Sequence, residues 1–471
     1  MIAGERLSGV DRSWLLMDRP TNLMTIVSLI ILSSPLDRAR YKTVIADRFL
    51  AHERFRCYPV ADVMGATWVR AEQFDLDDHV LSASLPPGAG QAELEALVGE
   101  LASTPFNPGR PLWTFHVIDG YRGGSVIVVR IHHCYADGIA LTQVLLSMTE
   151  SIPPGRHPAK AAAADSTPHE HNGLVPAALL AAVREGIDII GKGTGLIEKG
   201  IYYALHPNEA AMLARNALGF AGELAHISTM ADDPPTRLKG PLSGVRRVAW
   251  ADPLSFEEVR TIAQVLGCTI NDVLVSTLAG ALGRYLEAEG ESVAGLTIRA
   301  SVPVDLRAVD GSDPLMGNRF GLVFLDLPIG IRHPLERLYA VHTTMQDLKR
   351  SGQALATLAL LTIVGNLPAP VEEPALALFS AKASLVASNV PGPREALSLA
   401  GTPISQLLFW VPQAGSIGTG VSMQSYNGMV QFGVIADRQL IPRPSELVAR
   451  VEVEFNRLVF LVLLGAAALG D

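Results

Sequence analysis

The segment VIVVRIHHCYADGIALTQVL, Val126–Leu145, places two adjacent histidines at the end of an apolar run and an Asp-Gly pair shortly after them. The run is continuous and rich in β-branched residues, which predicts a buried strand. Beyond the Asp-Gly pair, apolar residues recur at spacings of three and four, which predicts a helix. Rigid elements on both sides would present a short loop, where functional side chains are often displayed. The pattern therefore favours His132, His133, Asp137 and Gly138 as one candidate site.

These residue types suit proton transfer. An imidazole with a pKa near neutrality can accept a proton from a hydroxyl group. The carboxylate of Asp137 can either brace the loop or fix the tautomer of the base. A glycine at position 138 allows a tight turn and leaves room for a ligand.

Two other chemistries fit the loop less well. Adjacent histidines in extended chain point to different sides, and no H-E-x-x-H helix or second ligand cluster is visible, which disfavours a metal site. Cys134 is too close in sequence to both histidines to promise the geometry of a nucleophile and its base. The nearby serines lack the G-x-S-x-G elbow of serine hydrolases.

Composition bounds the class of protein. A chain of 471 residues predicts one very large domain or two to three ordinary ones, and its 48% hydrophobic residues are ample for large cores. The charged fraction, 18%, is low. Its net charge of −9 excludes a global basic field, so no nucleic-acid partner is expected. The cysteines Cys57, Cys134 and Cys268 are odd in number and far apart. They predict no disulfide framework and a reducing, cytoplasmic environment.

Membrane-related signals are weak. The first twenty residues carry charges throughout and lack a signal-peptide core. The apolar run Thr25–Leu32 is far shorter than the roughly 20 residues that a bilayer span requires. The apolar C-terminal stretch LVFLVLLGAAALG is predicted to be the buried end of a terminal helix, in preference to a tail that dips into a membrane.

The pattern along the chain divides it into three parts. Residues 1–150 mix buried strands with helices and carry the histidine loop. Residues 151–240 begin with a Pro-, Ala- and Ser-rich stretch and continue as Ala-, Leu- and Gly-rich helices that could pack on protein or on lipid. Residues 241–471 form a second α/β region. The fold class is therefore α/β, with two domains that each contain a mixed β-sheet flanked by helices.

Several elements of the second region are well signalled. Ser255 with Glu258 forms a capping-box pattern at the start of a helix, and Gly267 is a plausible stop. Thr269 is the predicted N-cap of the helix that follows. The dipeptide Asn427-Gly428 suits a type I′ turn between two strands.

The loop HHCYADG resembles the HHxxxDG signature of the bacterial wax ester synthase/acyl-CoA:diacylglycerol acyltransferase family. That signature is shared with a wider group of CoA-dependent acyltransferases, which includes chloramphenicol acetyltransferase and nonribosomal condensation domains. The narrower resemblance rests on further segments in the family's order, across almost the whole chain. These are LSGVDRSWLLMDRPTNLM, RPLW at Arg110–Trp113, TINDVLVSTLAGALGRYL, SVPVDLR, GNRFGLVFLDLP, ASNVPGP and SYNGMVQFGVIADR.

The resemblance implies two chloramphenicol acetyltransferase-like domains joined by a helical linker. It also implies transfer of a long-chain fatty acyl group from acyl-CoA, a co-substrate rather than a cofactor, to diacylglycerol or a fatty alcohol. By the family's pattern His133 is the general base and no acyl-enzyme forms. His132 shapes the loop, Asp137 is a structural brace with an unidentified arginine partner, and Gly138 leaves space where ligands meet.

Asn271 is a candidate for stabilising the oxyanion of the intermediate. It stands at the start of a predicted helix, where free N–H groups and the positive end of the dipole favour negative charge. The alternative is a first-turn residue without a catalytic task, and Asp272 can likewise serve only the helix start. Trp113 is expected in the core rather than stacked on substrate.

Two alternatives remain open. One is a condensation-like acyltransferase that esterifies another hydroxyl acceptor, and the acceptor used would discriminate it. The other is a non-catalytic lipid-binding relative, against which the intact His133, Asp137 and Gly138 argue. The helices at 173–237 and the C-terminal tail are candidates for peripheral contact with the inner membrane or with lipid droplets.

Overall fold

Two mixed β-sheets, each of seven strands, form the framework of the described chain. The computed structural model describes residues 4–62, 65–152, 222, 225–227, 229–306, 317–318, 320–364, 377 and 379–468. The strands are β1 Thr25–Leu32, β2 Cys57–Asp62, β3 Gly65–Arg70, β4 Val80–Ser84, β5 Trp113–Tyr121, β6 Gly124–His132, β7 Thr149–Ser151, β8 Arg246–Trp250, β9 Leu254–Ser255, β10 Ile298–Asp305, β11 Phe320–Leu327, β12 Leu385–Val390, β13 Leu397–Leu399, β14 Thr402–Trp410, β15 Thr419–Tyr426 and β16 Met429–Asp437. The helices are α1 Gly9–Met17, α2 Arg38–Val44, α3 Gln91–Ala102, α4 Gly138–Ser147, α5 Phe256–Val265, α6 Ile270–Ala288, α7 Pro334–Arg350, α8 Gln353–Val364 and α9 Pro444–Ala468.

The first sheet has the strand order β4-β5-β6-β1-β14-β13-β7. Strands β4 and β5 are parallel, whereas β6 lies antiparallel to both β5 and β1. All eight residues of β1 and all nine of β6 are buried. One face packs under α4, and the other packs against Val248 and Trp250 of the second half. Burial of both faces explains why these strands are continuously apolar rather than alternating.

The second sheet has the order β11-β10-β12-β15-β16-β8, with β9 paired to β16. Strands β10, β12 and β15 are parallel, and the outer pairs are antiparallel. One face packs against α5, α6, α7 and α9 to form the larger core. The opposite face of β10, β11 and β12 is turned toward the first half of the chain.

Strand β14 crosses from the C-terminal part of the chain into the first sheet. It pairs with β1 in antiparallel register, with Val27 opposite Trp410 and Ile30 opposite Leu407. The limits 1–150, 151–240 and 241–471 stay a prediction, and the strand crossing adds that the C-terminal part completes the N-terminal sheet. Most of the linker lies outside the described residues, as do the predicted helices before residue 222.

The predicted fold class and most predicted local signals are confirmed. Ser255 caps α5 by accepting from the backbone N–H of Glu258, and Thr269 caps α6 in a capping box with Asp272. Asn427 and Gly428 both have positive φ, 47° and 76°, as a type I′ turn requires. Trp113 is fully buried in the first core, as expected.

The C-terminal stretch is helical, as predicted, but the prediction that it is buried holds for only one side of the helix: Leu458 is buried, and Val459 and Val462 pack on the core. In α9 the side chains of Phe460, Leu463 and Leu464 are 61%, 62% and 51% exposed. They lie on the side of the helix that faces away from the core, and no protein surface covers them within the described chain. Within that part of the chain, no single helix is long and apolar enough to cross a membrane; only α5 and α6 taken together, bent by 102°, pass by length and composition.

Candidate active site

The histidine loop connects β6 to α4, as the sequence predicts. Strand β6 ends at His132, and α4 begins at Gly138. Asp137 is the N-cap of α4, and its Oδ1 accepts hydrogen bonds from the backbone N–H groups of Ile139 and Ala140, each at 3.1 Å. This capping satisfies two helix-end donors and fixes the loop to the helix. The geometry fits the role of a brace.

His133 lies against aromatic rings. Its imidazole stacks on the indole of Trp14 with ring centroids 3.9 Å apart, and the ring of Phe320 is 5.8 Å away. The backbone N–H of His133 donates to the carbonyl oxygen of Met24 at 2.8 Å. Burial lowers the pKa of His133 from 6.5 to about 4, so the ring is neutral at physiological pH and free to accept a proton. Its Nδ1 is fully buried, which leaves Nε2 as the nitrogen that can act toward a ligand.

His132 is placed differently from its neighbour. It is 2% exposed, and its Nδ1 accepts from the backbone N–H of Cys134 at 3.2 Å. Its Nε2 lies 3.7 Å from Oδ2 of Asp18, whose other oxygen accepts from the backbone N–H of Met24 at 2.8 Å. The ring thus ties the loop to the segment after α1. These contacts fit a supporting role for His132, which stays a prediction.

Asn318, which the sequence reasoning did not single out, joins the two halves at the loop. Its Nδ2 donates to the carbonyl oxygen of His133 at 2.9 Å and to Oδ1 of Asp11 at 2.8 Å. Asp11 lies 3.6 Å from Arg54, which donates to the carbonyl oxygen of Tyr135 at 2.8 Å. Burial raises the pKa of Asp11, opposed mainly by Arg54. The loop is therefore held from two sides by one buried polar network.

A large cavity lies between the two halves and reaches His133. The space within it is about 1040 Å³, part of which is open to solvent. Trp14, His133 and Gly138 line it from the first half, and Phe320, Ser388 and Val411 are among the residues from the second. Most of the wall is apolar, as is typical of a site for a hydrophobic ligand with a few placed polar groups.

Gly138 is a glycine for reasons other than backbone strain. Its φ is not positive, and an added Cβ would meet only Cγ1 of Val411, at an ordinary 3.8 Å. Neither the chain's conformation nor its packing therefore excludes a side chain. Because Gly138 lines the cavity beside His133, the absent side chain keeps open space for whatever occupies the cavity.

Asn271 and Asp272 lie in the first turn of α6, beside the cavity rather than in its wall. Asn271 Oδ1 accepts from Nδ2 of Asn389 at 3.0 Å, and Asn389 lines the cavity. Asp272 is buried and accepts both from the backbone N–H of Thr269 at 2.8 Å and from Nδ1 of His342 at 2.7 Å. A supporting role for Asp272 fits these contacts. The oxyanion role of Asn271 stays a prediction.

The structure also bears on the two weaker alternatives, a Cys134 nucleophile and a metal site. Burial raises the pKa of the Cys134 thiol well above its usual value, which disfavours the thiolate that a nucleophile requires. Within the described ranges, no group of three or more His, Cys, Asp or Glu side chains is arranged to hold a metal ion.

Several residues around the histidine loop were not singled out from the sequence, although they lie in two segments quoted above. Asp11, Trp14 and Asp18 lie in LSGVDRSWLLMDRP, and Asn318 and Phe320 lie in GNRFGLVFLDLP. Both segments are among those that resemble the family, and this was the one indication in the sequence that their residues could matter for the site. The contacts of Trp14, Asn318 and Phe320 with His133, more than 100 residues away in sequence, were not visible. The contact of Asp18 with His132 and that of Asp11 with Asn318 were not visible either.

Comparison with known proteins gives a consistent picture. Residues 7–274 match the family model for the wax ester synthase/diacylglycerol acyltransferase catalytic domain, and residues 316–459 match the model for the C-terminal domain of the same family. The Mycobacterium tuberculosis H37Rv protein named "Probable diacyglycerol O-acyltransferase tgs1" is 28% identical, over 94% of this chain and 92% of its own length.

Solved structures show the same fold. The wax ester synthase/diacylglycerol acyltransferase of Marinobacter aquaeolei VT8 superposes with a TM-score of 0.66 at 20% identity, covering 97% of this chain and 99% of the other. The first condensation domain of the calcium-dependent antibiotic synthetase superposes with a TM-score of 0.59 at 14% identity, covering 98% and 96%. The architecture is thus common to lipid acyltransferases and condensation domains.

Proposed function

The chain belongs to the wax ester synthase/diacylglycerol acyltransferase family, and on this premise we propose that it transfers a long-chain fatty acyl group from acyl-CoA to diacylglycerol or a fatty alcohol. Membership makes it an acyltransferase; the acceptor and the mechanism are the proposal. The observation that carries it is a buried, neutral His133 in the wall of a large apolar cavity lined by both halves.

The reaction proceeds by general-base catalysis. Nε2 of His133 accepts the proton of the acceptor hydroxyl as its oxygen attacks the carbonyl carbon of the thioester. The C–S bond then breaks as the tetrahedral intermediate collapses, and the sulfur of CoA leaves with a proton returned from His133. The products are an ester and free CoA, and no acyl-enzyme is required.

The surrounding residues support this step but do not transfer the proton. Asp137 and His132 hold the loop, and Gly138 keeps space beside the base. Asn271, whose Oδ1 accepts from Asn389 in the cavity wall, is the predicted source of oxyanion stabilisation. Asp272 fixes the helix start on which Asn271 stands. Acyl-CoA is a co-substrate, and the proposal needs no further cofactor.

The cavity suits lipid tails. Burying a methylene group contributes about 0.8 kcal/mol, so a long acyl chain in an apolar cavity obtains most of its binding free energy from the chain itself. The chemical step takes place where the two substrates meet at His133.

The exposed end of α9 supports peripheral contact with lipid. Phe460, Leu463 and Leu464 form an apolar patch on a helix that carries no charged residue after Arg457. We infer that this patch rests on a cytoplasmic membrane surface or a lipid droplet, where water-insoluble acceptors are found.

The decisive experiment uses the purified protein with labelled palmitoyl-CoA. Hexadecanol, dioleoylglycerol and a short alcohol are offered as separate acceptors. A labelled lipid ester is expected from at least one of the first two, and His133→Ala should abolish it while the thermal unfolding temperature is preserved. Absence of ester from every acceptor would disprove the proposed function, and full activity of the variant would show that another group is the base.

A further inference from the structure

The floor of the cavity is an ordered grid of side chains on one face of the second sheet. On β10 the alternating residues Ser301, Pro303 and Asp305 face the cavity. Their partners on β11 are Phe324, Leu322 and Phe320, in that order. On the other side, β12 contributes Val386, next to Ser301, and then Ser388 and Val390 at alternate positions. The row of Phe320 is the one that reaches His133.

Two hydroxyl groups in this grid stand out. Ser301 is 5% exposed and Ser388 is 3% exposed, and both line the cavity. Neither hydroxyl makes a hydrogen bond to any residue that the structure describes. Ser380, another serine of the wall, differs because its hydroxyl donates to the carbonyl oxygen of Ala377. Both hydroxyl oxygens border the open space of the cavity and are not among the fully enclosed, unpaired polar atoms of the described residues. A polar group in this position can be paired by a molecule that occupies the cavity. Ser301 and Ser388 are thus equipped to donate to a bound ligand.

The charges in the cavity wall limit the class of ligand that the cavity can bind. Among the described residues, those that line the cavity include no lysine and no arginine, and they do include the carboxylates of Asp137 and Asp305. Such a wall does not suit the phosphate groups of CoA. It suits a neutral molecule with long apolar tails and a few hydrogen-bond acceptors.

The spacing of the hydroxyl groups fits ester carbonyls. Strands advance about 3.3 Å per residue, so Ser388 lies about 7 Å and Ser301 about 13 Å along the strands from the row that reaches His133. A diacylglycerol presents its free hydroxyl at one end and two ester carbonyl groups farther in, at different depths. A fatty alcohol has no polar group beyond its reacting hydroxyl.

We propose that Ser301 and Ser388 bind the ester carbonyl groups of a diacylglycerol acceptor, and so select diacylglycerol over simple alcohols. The inference rests on the proposed function and names the acceptor of the same site. In this arrangement the free hydroxyl of diacylglycerol meets His133, and the two acyl tails extend over Phe324, Val386 and the apolar wall beyond them. Acyl-CoA then reaches His133 by another route.

The test compares two acceptors that differ only in their carbonyl groups. These are 1,2-dioleoylglycerol and the corresponding dialkyl diether, each offered with labelled palmitoyl-CoA. The wild type should use the diester with a kcat/KM about tenfold or more above that of the diether. The double variant Ser301→Ala/Ser388→Ala should lose this preference, because its kcat/KM for the diester falls to that of the diether.

Matched variants control for the fold and for the hydroxyl group. Ser388→Thr keeps a hydroxyl and should keep most of the preference. Ser422 is paired directly with Ser388 on β15, is equally buried, and is outside the cavity wall, so Ser422→Ala should keep the wild-type ratio. Thermal unfolding of each variant checks that the protein is folded.

Several outcomes would overturn the proposal. One is equal use of diester and diether by the wild type, and another is a double variant that retains the preference. A third is a raised KM for palmitoyl-CoA with both acceptors, which would assign the serines to the CoA arm. Use of hexadecanol but of neither glycerolipid would also overturn it while leaving the proposed function intact. Failure with all acceptors would instead disprove the proposed function.

Discussion

The indole ring of Trp14 lies flat against the imidazole of His133, with 3.9 Å between ring centroids and 22° between ring planes. The two residues come from α1 and from the loop after β6, so the contact joins the start of the chain to the candidate base. Trp14 both fixes the ring orientation of His133 and covers one of its faces from solvent.

Replacing Trp14 tests this contact. We expect Trp14→Ala to lower kcat/KM at least tenfold, because the imidazole loses its orienting surface, and to raise the pKa of His133 toward 6.5, because water reaches the ring. Trp14→Phe keeps an aromatic face and should retain most of the activity. The measurements are the pH profile and the kcat/KM of each variant. An unchanged profile in Trp14→Ala would refute the role.

The low pKa of His133 predicts the pH dependence of the reaction. Because burial lowers this pKa to about 4, the base stays unprotonated well below pH 6.5. The acidic limb of kcat/KM should therefore lie near pH 4 and not near pH 6.5. An acidic limb near pH 6.5 that persists when each of the other histidines is replaced would contradict the assignment of His133 as the base.

The same burial predicts the pH dependence of stability. The pKa values of His133 and His116 are both lowered to about 4 by burial. Below pH 6.5 the unfolded chain binds protons at these residues and the folded chain does not, so the free energy of unfolding falls as the pH falls from 6.5 toward 4. Urea unfolding at a series of pH values measures this. Burial also lowers the pKa of His79, which adds to the same trend. His116→Gln should reduce the slope, since it removes one of these groups.

We expect replacement of Asn318 to lower both the stability and the activity of the protein. Asn318→Ala removes the hydrogen bonds to His133 and Asp11 and leaves a buried carboxylate with fewer partners, which should cost about 1–3 kcal/mol in the free energy of unfolding. Because the lost contact holds the loop of the base, kcat should fall more than KM rises. Asn22→Ala is a comparison variant, since Asn22 also bonds across the halves, to the carbonyl oxygens of Gly415 and Ile417, but does not contact His133. Equal loss of kcat in both variants would show that Asn318 acts only through stability.

Substitution by alanine should have opposite effects on stability at Gly138 and at Gly321. A Cβ at position 138 meets only a methyl group at 3.8 Å, so Gly138→Ala should fold with an unfolding temperature near that of the wild type and yet lose activity. A Cβ at position 321 would lie 1.7 Å from the backbone oxygen of Ala354, so Gly321→Ala should be strongly destabilised. Thermal unfolding and ester formation are measured for both. Full activity of Gly138→Ala would show that the space is not used by substrate.

The apolar patch on α9 predicts lipid binding. Replacing Phe460, Leu463 and Leu464 by serine should reduce flotation of the protein with anionic or neutral liposomes severalfold, because the apolar area that enters the interface is removed. Turnover of a detergent-solubilised acceptor should change little. Wild-type protein that stays in the soluble fraction with all lipid compositions would argue against the contact.

Local features of the fold were predictable because local chemistry determines them. The strands β1 and β6 follow from β-branched apolar runs, the start of α6 from Thr269, and the β15–β16 turn from Asn427-Gly428. The pairing of β14 with β1 was not predictable, since nothing in either segment specifies a partner almost 400 residues away. The same holds for Trp14 and Asn318 at His133, and for Ser301 and Ser388, which look like ordinary strand residues until neighbouring strands place them on one face.

The crossing of β14 has a consequence for synthesis on the ribosome. Strand β1 is complete once residue 32 has been translated, but its partner on one side spans residues 402–410. During translation of the intervening chain, that edge of an apolar strand has unpaired backbone N–H and C=O groups and is open to pairing with other chains. The nascent protein therefore needs protection of this edge, by a chaperone or by transient contacts, until almost nine-tenths of the chain has been made.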